Sequence, residues 1–169
     1  MERQAMNLAP FEQCVCRRMG GTLSLCVGAN QFSENGIKVR HTTRSGENVV
    51  GLVLDGCVFT DNQTKCDGLF VFETQNNNVL SLVELKGTDI THAFEQIDHV
   101  KNHTTQYTQI KQMVSEQVIG QLNERAFIIS NAIISKPEKE KLENHHQLRI
   151  TQILHSEATT PVPDIRNYL

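Results

Sequence analysis

The apolar residues of this chain change from strand to helical period near Gly87, and that change constrains the fold more than any other feature. Upstream, short runs rich in Val, Leu and Phe occupy 49–54, 57–60, 66–72 and 79–86. They are punctuated by Asp61-Asn62-Gln63 and Gln75-Asn76-Asn77-Asn78, the pattern of strands joined by tight turns. Downstream the period is helical: Ile90, Ala93, Phe94, Ile97 and Val100 mark one face, with Thr88 or Asp89 as N-cap. Tyr107, Ile110, Met113 or Val114, and Val118 prolong or restart that helix, and Gly120 ends it. Residues 126–134 predict another strand, Ser135-Lys136-Pro137-Glu138 a capped helix start, and 148–154 a last strand.

Before the meander, Leu8, Phe11, Val15 and Met19 recur at helical spacing between Pro10 and Gly20-Gly21, which predicts an N-terminal helix. Residues 22–27 read as a short strand and 28–47 as loop. A meander followed by crossovers implies an α/β fold, a mixed β-sheet flanked by helices. Residues 1–155 are expected to form one domain and 156–169 an extended or mobile C-terminal tail, because the composition turns polar and Pro161 and Pro163 appear.

Length and composition narrow the function classes. The chain has 169 residues, enough for a real core, and 38% apolar with 21% charged residues exclude wholesale disorder. No apolar run approaches the ~18 residues of a membrane helix. Residues 1–10 carry no basic-then-apolar signal pattern, so a cytoplasmic setting is expected. The five cysteines are then expected to be reduced and packed as small hydrophobes. Cys14-x-Cys16 invites a zinc reading, but the spacing is short for a structural site and no second pair follows.

A formal net charge of −3 excludes a purely electrostatic nucleic-acid binder. It leaves room for an enzyme that grips phosphates locally. The basic stretch Lys38, Arg40, His41 and Arg44 has two readings, a solvated loop and a phosphate-contacting one.

Strand periodicity puts Glu84 and Lys86 on one face with Leu85 pointing away. Asp67 precedes Glu84 by 17 positions. If the two strands pair through the turn at 75–78, Asp67 arrives beside Glu84 and Lys86. Two close carboxylates repel, and a divalent cation relieves that repulsion. Magnesium or manganese would polarise a phosphodiester and acidify a bound water, with Lys86 offsetting charge in the transition state. The bland alternative is a strand end carrying a Glu–Lys surface pair, although this is the only E-x-K in the chain and ends its most apolar strand. His92, Gln96, His99 and His103 share a helical stripe. The two-histidine i, i+4 spacing suits zinc, but no third ligand is evident and a solvated helix face explains it as well.

At 65–72, at Leu82-Val83-Glu84-Leu85-Lys86-Gly87 and at 89–97, the sequence resembles the PD-(D/E)xK, or restriction-endonuclease-like, nuclease superfamily. The resemblance implies that family's αβββαβ core plus a C-terminal αβ extension. It implies Asp67 and Glu84 as metal ligands, the Leu85 carbonyl as a further ligand, Lys86 as catalytic lysine and Gln96 as an accessory polar residue. Cys66 stands where the family usually has proline, and Glu12 is the one acid inside the predicted first helix. The implied activity is Mg²⁺- or Mn²⁺-dependent hydrolysis of nucleic acid, DNA rather than RNA; on the phosphate-contacting reading of the basic stretch, Lys38, Arg40 and Arg44 are the candidate backbone contacts. A small nuclease of restriction or anti-phage defence, acting as a homodimer or within a larger defence complex, is the implied setting. A catalytically silent nuclease fold serving as an interaction module is the competing reading.

Overall fold

A computed structural model describes residues 5–169. It contains β1 (Gln31–Glu34), β2 (Ile37–Arg40), β3 (Asn48–Val53), β4 (Gly68–Glu73), β5 (Asn78–Lys86), α1 (Ile90–His103), α2 (Thr105–Gln117), β6 (Leu122–Ser130), α3 (Lys136–His146) and β7 (Gln152–His155). The main sheet runs β3-β4-β5-β6-β7. Its first three strands are antiparallel, and β6 and β7 are added in parallel through helical crossovers. The α/β class and the mixed sheet flanked by helices are therefore as expected.

Two apolar layers sandwich the sheet. On one face Leu69, Val71, Leu80, Leu82 and Ile128 meet Phe94, Ile97 and Val100 of α1 and Tyr107, Ile110 and Val114 of α2. On the other, Phe70, Val83, Leu85 and Phe127 meet Phe32 and Val39 of the β1–β2 hairpin and Ile165 near the C-terminus. Because both faces are covered, β5 is buried along nearly its whole length, which is why it reads as a continuous apolar run. The caps are as predicted: the Asp89 side chain accepts from the His92 amide, and Ser135 from Glu138.

The N-terminal helix is not there. Leu8 and Phe11 enter the core, yet the backbone makes only a short 3-10 turn, Glu12–Cys14. The next residues join the sheet edge, with the Cys16 amide donating to the Gly51 carbonyl at 2.7 Å and Val15 bridging Leu52. Pairing with β3 satisfies that backbone in place of a helix, and Met19 is left 84% exposed. Residues 57–60 also fail to form a strand; the chain folds back there, with the Phe59 amide on the Leu54 carbonyl. In 22–27 only Cys26 bridges Phe32.

Residues 28–47 are not loop throughout. Asn35 and Gly36 both take positive φ, 51° and 80°, as a two-residue hairpin turn requires, and close the β1–β2 ribbon. The segment from 156 onward is docked: Ser156, Asp164 and Ile165 are buried. The Asp164 carboxylate accepts from the amide and hydroxyl of Thr42, and Arg166 holds Glu47 bidentately.

The reading of five reduced thiols is also corrected. Cys14 pairs with Cys57 and Cys16 with Cys26, leaving Cys66 as the free, buried thiol. Paired sulfurs close the zinc reading of Cys14-x-Cys16, and because such crosslinks persist best in oxidising surroundings, they give no support to the cytoplasmic setting first expected. No helix of the described residues is long and apolar enough to cross a membrane.

Candidate functional site

The β4–β5 register pairs Gly68 with Val83, so Asp67 arrives opposite Glu84. The two residues then hold each other through their side chains. The Asp67 amide donates to Glu84 Oε2 at 3.1 Å, and the Leu85 amide donates to Asp67 Oδ2 at 2.8 Å. The Asp67 carbonyl is fixed from the other side by the amides of Leu54 and Asp55. Asp67 is 6% exposed and Glu84 2%.

Burial dominates the electrostatics of this pair. It pushes the Asp67 carboxyl up to about 7, with the charge of Glu34 adding to the rise. Burial, then the charge of Asp67, pushes Glu84 up to about 10, against a smaller pull from Lys86. No ion pair among the described residues reaches either carboxylate. The pair therefore has to share a proton or take up a cation, since two uncompensated buried charges are costly.

The other predicted residues fall as follows. Lys86 ends β5, half-buried, two residues beyond Glu84. The side chain of Leu85 lies in the opposite core layer. Gln96 reaches back from α1 and donates to the Lys65 carbonyl at 2.9 Å, two residues before Asp67. Its Oε1 is buried with no hydrogen-bond partner among the described residues. Lys65 is anchored in turn, 3.8 Å from Asp55 and 3.6 Å from Asp61.

Glu12 is elsewhere. Its carboxylate accepts from the Leu8 amide at 2.7 Å, and it lines a different cavity from the one reaching Asp67. Lys38, Arg40 and Arg44 lie on β2 and the loop after it, with Arg40 3.8 Å from Asp164. The Arg40 end of the hairpin, paired with Gln31, is opposite the Glu34–Ile37 end that approaches Asp67. His99 and His103 stand with ring centroids 5.7 Å apart, and His99 contacts Gln63. Among the described residues no group of three or more His, Cys, Asp or Glu side chains could hold a metal ion. Asp67 and Glu84 supply two carboxylates, the number a magnesium ion takes when waters and substrate phosphate fill its remaining positions.

Glu34 was missed in the sequence. It lines a cavity with Asp55 and Asp67, and its charge is felt by Asp67. The signal that exposes it is Asn35-Gly36, the strongest short-range hairpin dipeptide, which turns an apparent loop into a ribbon laid on the sheet. No known protein family, curated protein or solved structure matches the chain significantly.

Proposed function

We propose that the chain is a metal-dependent nuclease with a PD-(D/E)xK-type site in a restriction-endonuclease-like fold, acting on DNA in preference to RNA. One observation carries the reading: Asp67 and Glu84 are buried together, clasped amide to carboxylate, at the end of the strand that bears Lys86. The three-strand meander followed by a helical crossover to a parallel strand is compatible with it.

Asp67 and Glu84, with the Leu85 carbonyl, would hold Mg²⁺ or Mn²⁺. The donor set fits: hard oxygens, no cation paired to them among the described residues, and a burial cost that a divalent ion offsets. Such an ion supplies Lewis-acid polarisation of a phosphodiester and a more acidic water. The residues do the rest. The amides of Asp67 and Leu85 fix both carboxylates before substrate arrives, so little reorganisation is left to the reaction. The Lys86 ammonium, on the same strand face as Glu84, would offset the negative charge that grows on the phosphorus oxygens. Gln96 anchors 65–67 to α1 and keeps one acceptor free to orient a water.

Incubation with plasmid, single-stranded DNA and RNA, each with Mg²⁺, Mn²⁺ or EDTA, tests the proposal. Cleavage that needs the metal and favours DNA is expected. Metal binding without cleavage of any of the three would replace the enzyme by a silent interaction module.

A further inference from the structure

A cavity of about 530 Å³ opens on the helix-bearing side of the sheet, between α1, the start of β6 and α3. Lys101, Arg125, Lys136, Lys139 and Arg149 line it. In a chain whose formal net charge is −3, five cations around one cleft form a local field of the opposite sign.

Acids share the wall, but two of the three are engaged. Glu124 accepts from the Tyr107 hydroxyl at 2.7 Å and pairs with Lys111 at 3.5 Å. Glu143 accepts from the Ile150 amide at 3.0 Å. A neutral amide donor leaves Glu143 charged, so Glu140 and Glu143 stand against five cations, none of which forms a salt bridge among the described residues. Arg125 spends one N–H on the Glu124 carbonyl and retains the others. Lys136 and Lys139 stand three residues apart, neighbours on one face of α3.

Cations gathered this closely repel one another until a counter-charge arrives. One phosphate cannot meet five of them, whereas a polyanion with regularly spaced charges can. The floor of the cleft includes Leu82, which precedes Glu84 by two residues on the same strand face, roughly 7 Å along the strand. We propose that this cleft holds the phosphate backbone of a nucleic acid. The choice of nucleic acid as the polyanion rests on the nuclease reading; the cleft itself does not.

The test is fluorescence anisotropy of a labelled DNA duplex across a salt series, in EDTA so that nothing is cleaved. Wild type is compared with Lys136→Gln/Lys139→Gln/Arg149→Gln and with a control, Arg17→Gln/Arg18→Gln, two exposed cations outside the cleft. Lys136 and Arg149 are exposed and Lys139 is half-buried, so the triple variant should fold, and its thermal midpoint checks that. Losing three phosphate contacts should reduce the log–log salt slope by about 2.7 and the affinity at least tenfold at low salt. The control should keep the wild-type slope. Mn²⁺-dependent hydrolysis of bis(p-nitrophenyl) phosphate, too short to span the cleft, should be equal in wild type and the triple variant. If wild type hydrolyses no phosphodiester, the nuclease reading fails while a lost salt slope still upholds the cleft. A wild-type slope and affinity in the folded triple variant, or no DNA binding by wild type, overturns the cleft.

Discussion

Asp67 meets β5 through both its amide and its carboxylate, which makes it the residue where folding and chemistry are most tightly linked. Its carboxyl, like that of Glu84, is pushed up by burial, so the folded state binds protons more tightly than the unfolded chain, whose carboxylates titrate near 4. The stabilisation from that proton is complete below about pH 4 and is lost as pH rises through about 7, where Asp67 titrates in the folded state. Without metal, wild type should therefore lose stability over that window relative to Asp67→Asn. His41, depressed by burial, slopes the other way below its usual value, and comparing the two proteins cancels it. Denaturant midpoints from pH 4 to 8 check this, and parallel curves would contradict it. Because a cation takes the proton's place, the Mn²⁺-induced thermal shift should grow with pH in wild type and vanish in Asp67→Asn; an equal shift in both would remove Asp67 from the metal site.

At the scale of elements, the strands beside the site depend on one close approach. A Cβ added at Gly68 would lie 2.6 Å from the Phe32 ring, which stacks on Phe70 with centroids 4.2 Å apart. Gly68→Ala should cost about 1–3 kcal/mol by forcing hairpin and sheet apart, read as a lower urea midpoint with an unchanged slope. A midpoint within error of wild type would mean that Phe32 has room to move. The sequence legibility of these elements follows their physics. β5, α1 and α2 announce themselves because burial on one or both faces imposes a period, and Asp67, Glu84 and Lys86 follow from that register. The N-terminal segment misleads because Leu8, Phe11 and Val15 keep helical spacing while their neighbours pair with β3. Glu34 stays hidden because it depends on a hairpin laid across the sheet, a long-range contact that no local period reports.

For the whole molecule, two crosslinks tie the N-terminal segment down. Cys14–Cys57 spans 43 residues and Cys16–Cys26 spans 10. Loop-closure entropy assigns the longer one about 4 kcal/mol and the shorter about 3 kcal/mol in the unfolded state. A reductant should lower the thermal midpoint by roughly 10 °C or more, with Cys14→Ala/Cys57→Ala losing the larger share. A midpoint indifferent to reductant would return the cysteines to reduced packing. The Cys57 end sits in the 54–59 bend whose amides hold the Asp67 carbonyl, so the same treatment should weaken metal binding.

The central claim is that the Asp67–Glu84 pair binds a metal for hydrolysis that Lys86 promotes. Single-turnover cleavage of supercoiled plasmid with Mn²⁺, by wild type and Lys86→Ala, tests it most directly. The account predicts a loss on the order of 10²–10³-fold in the cleavage rate of Lys86→Ala, with DNA affinity and the Mn²⁺-induced thermal shift retained. Undiminished cleavage by folded Lys86→Ala would contradict it.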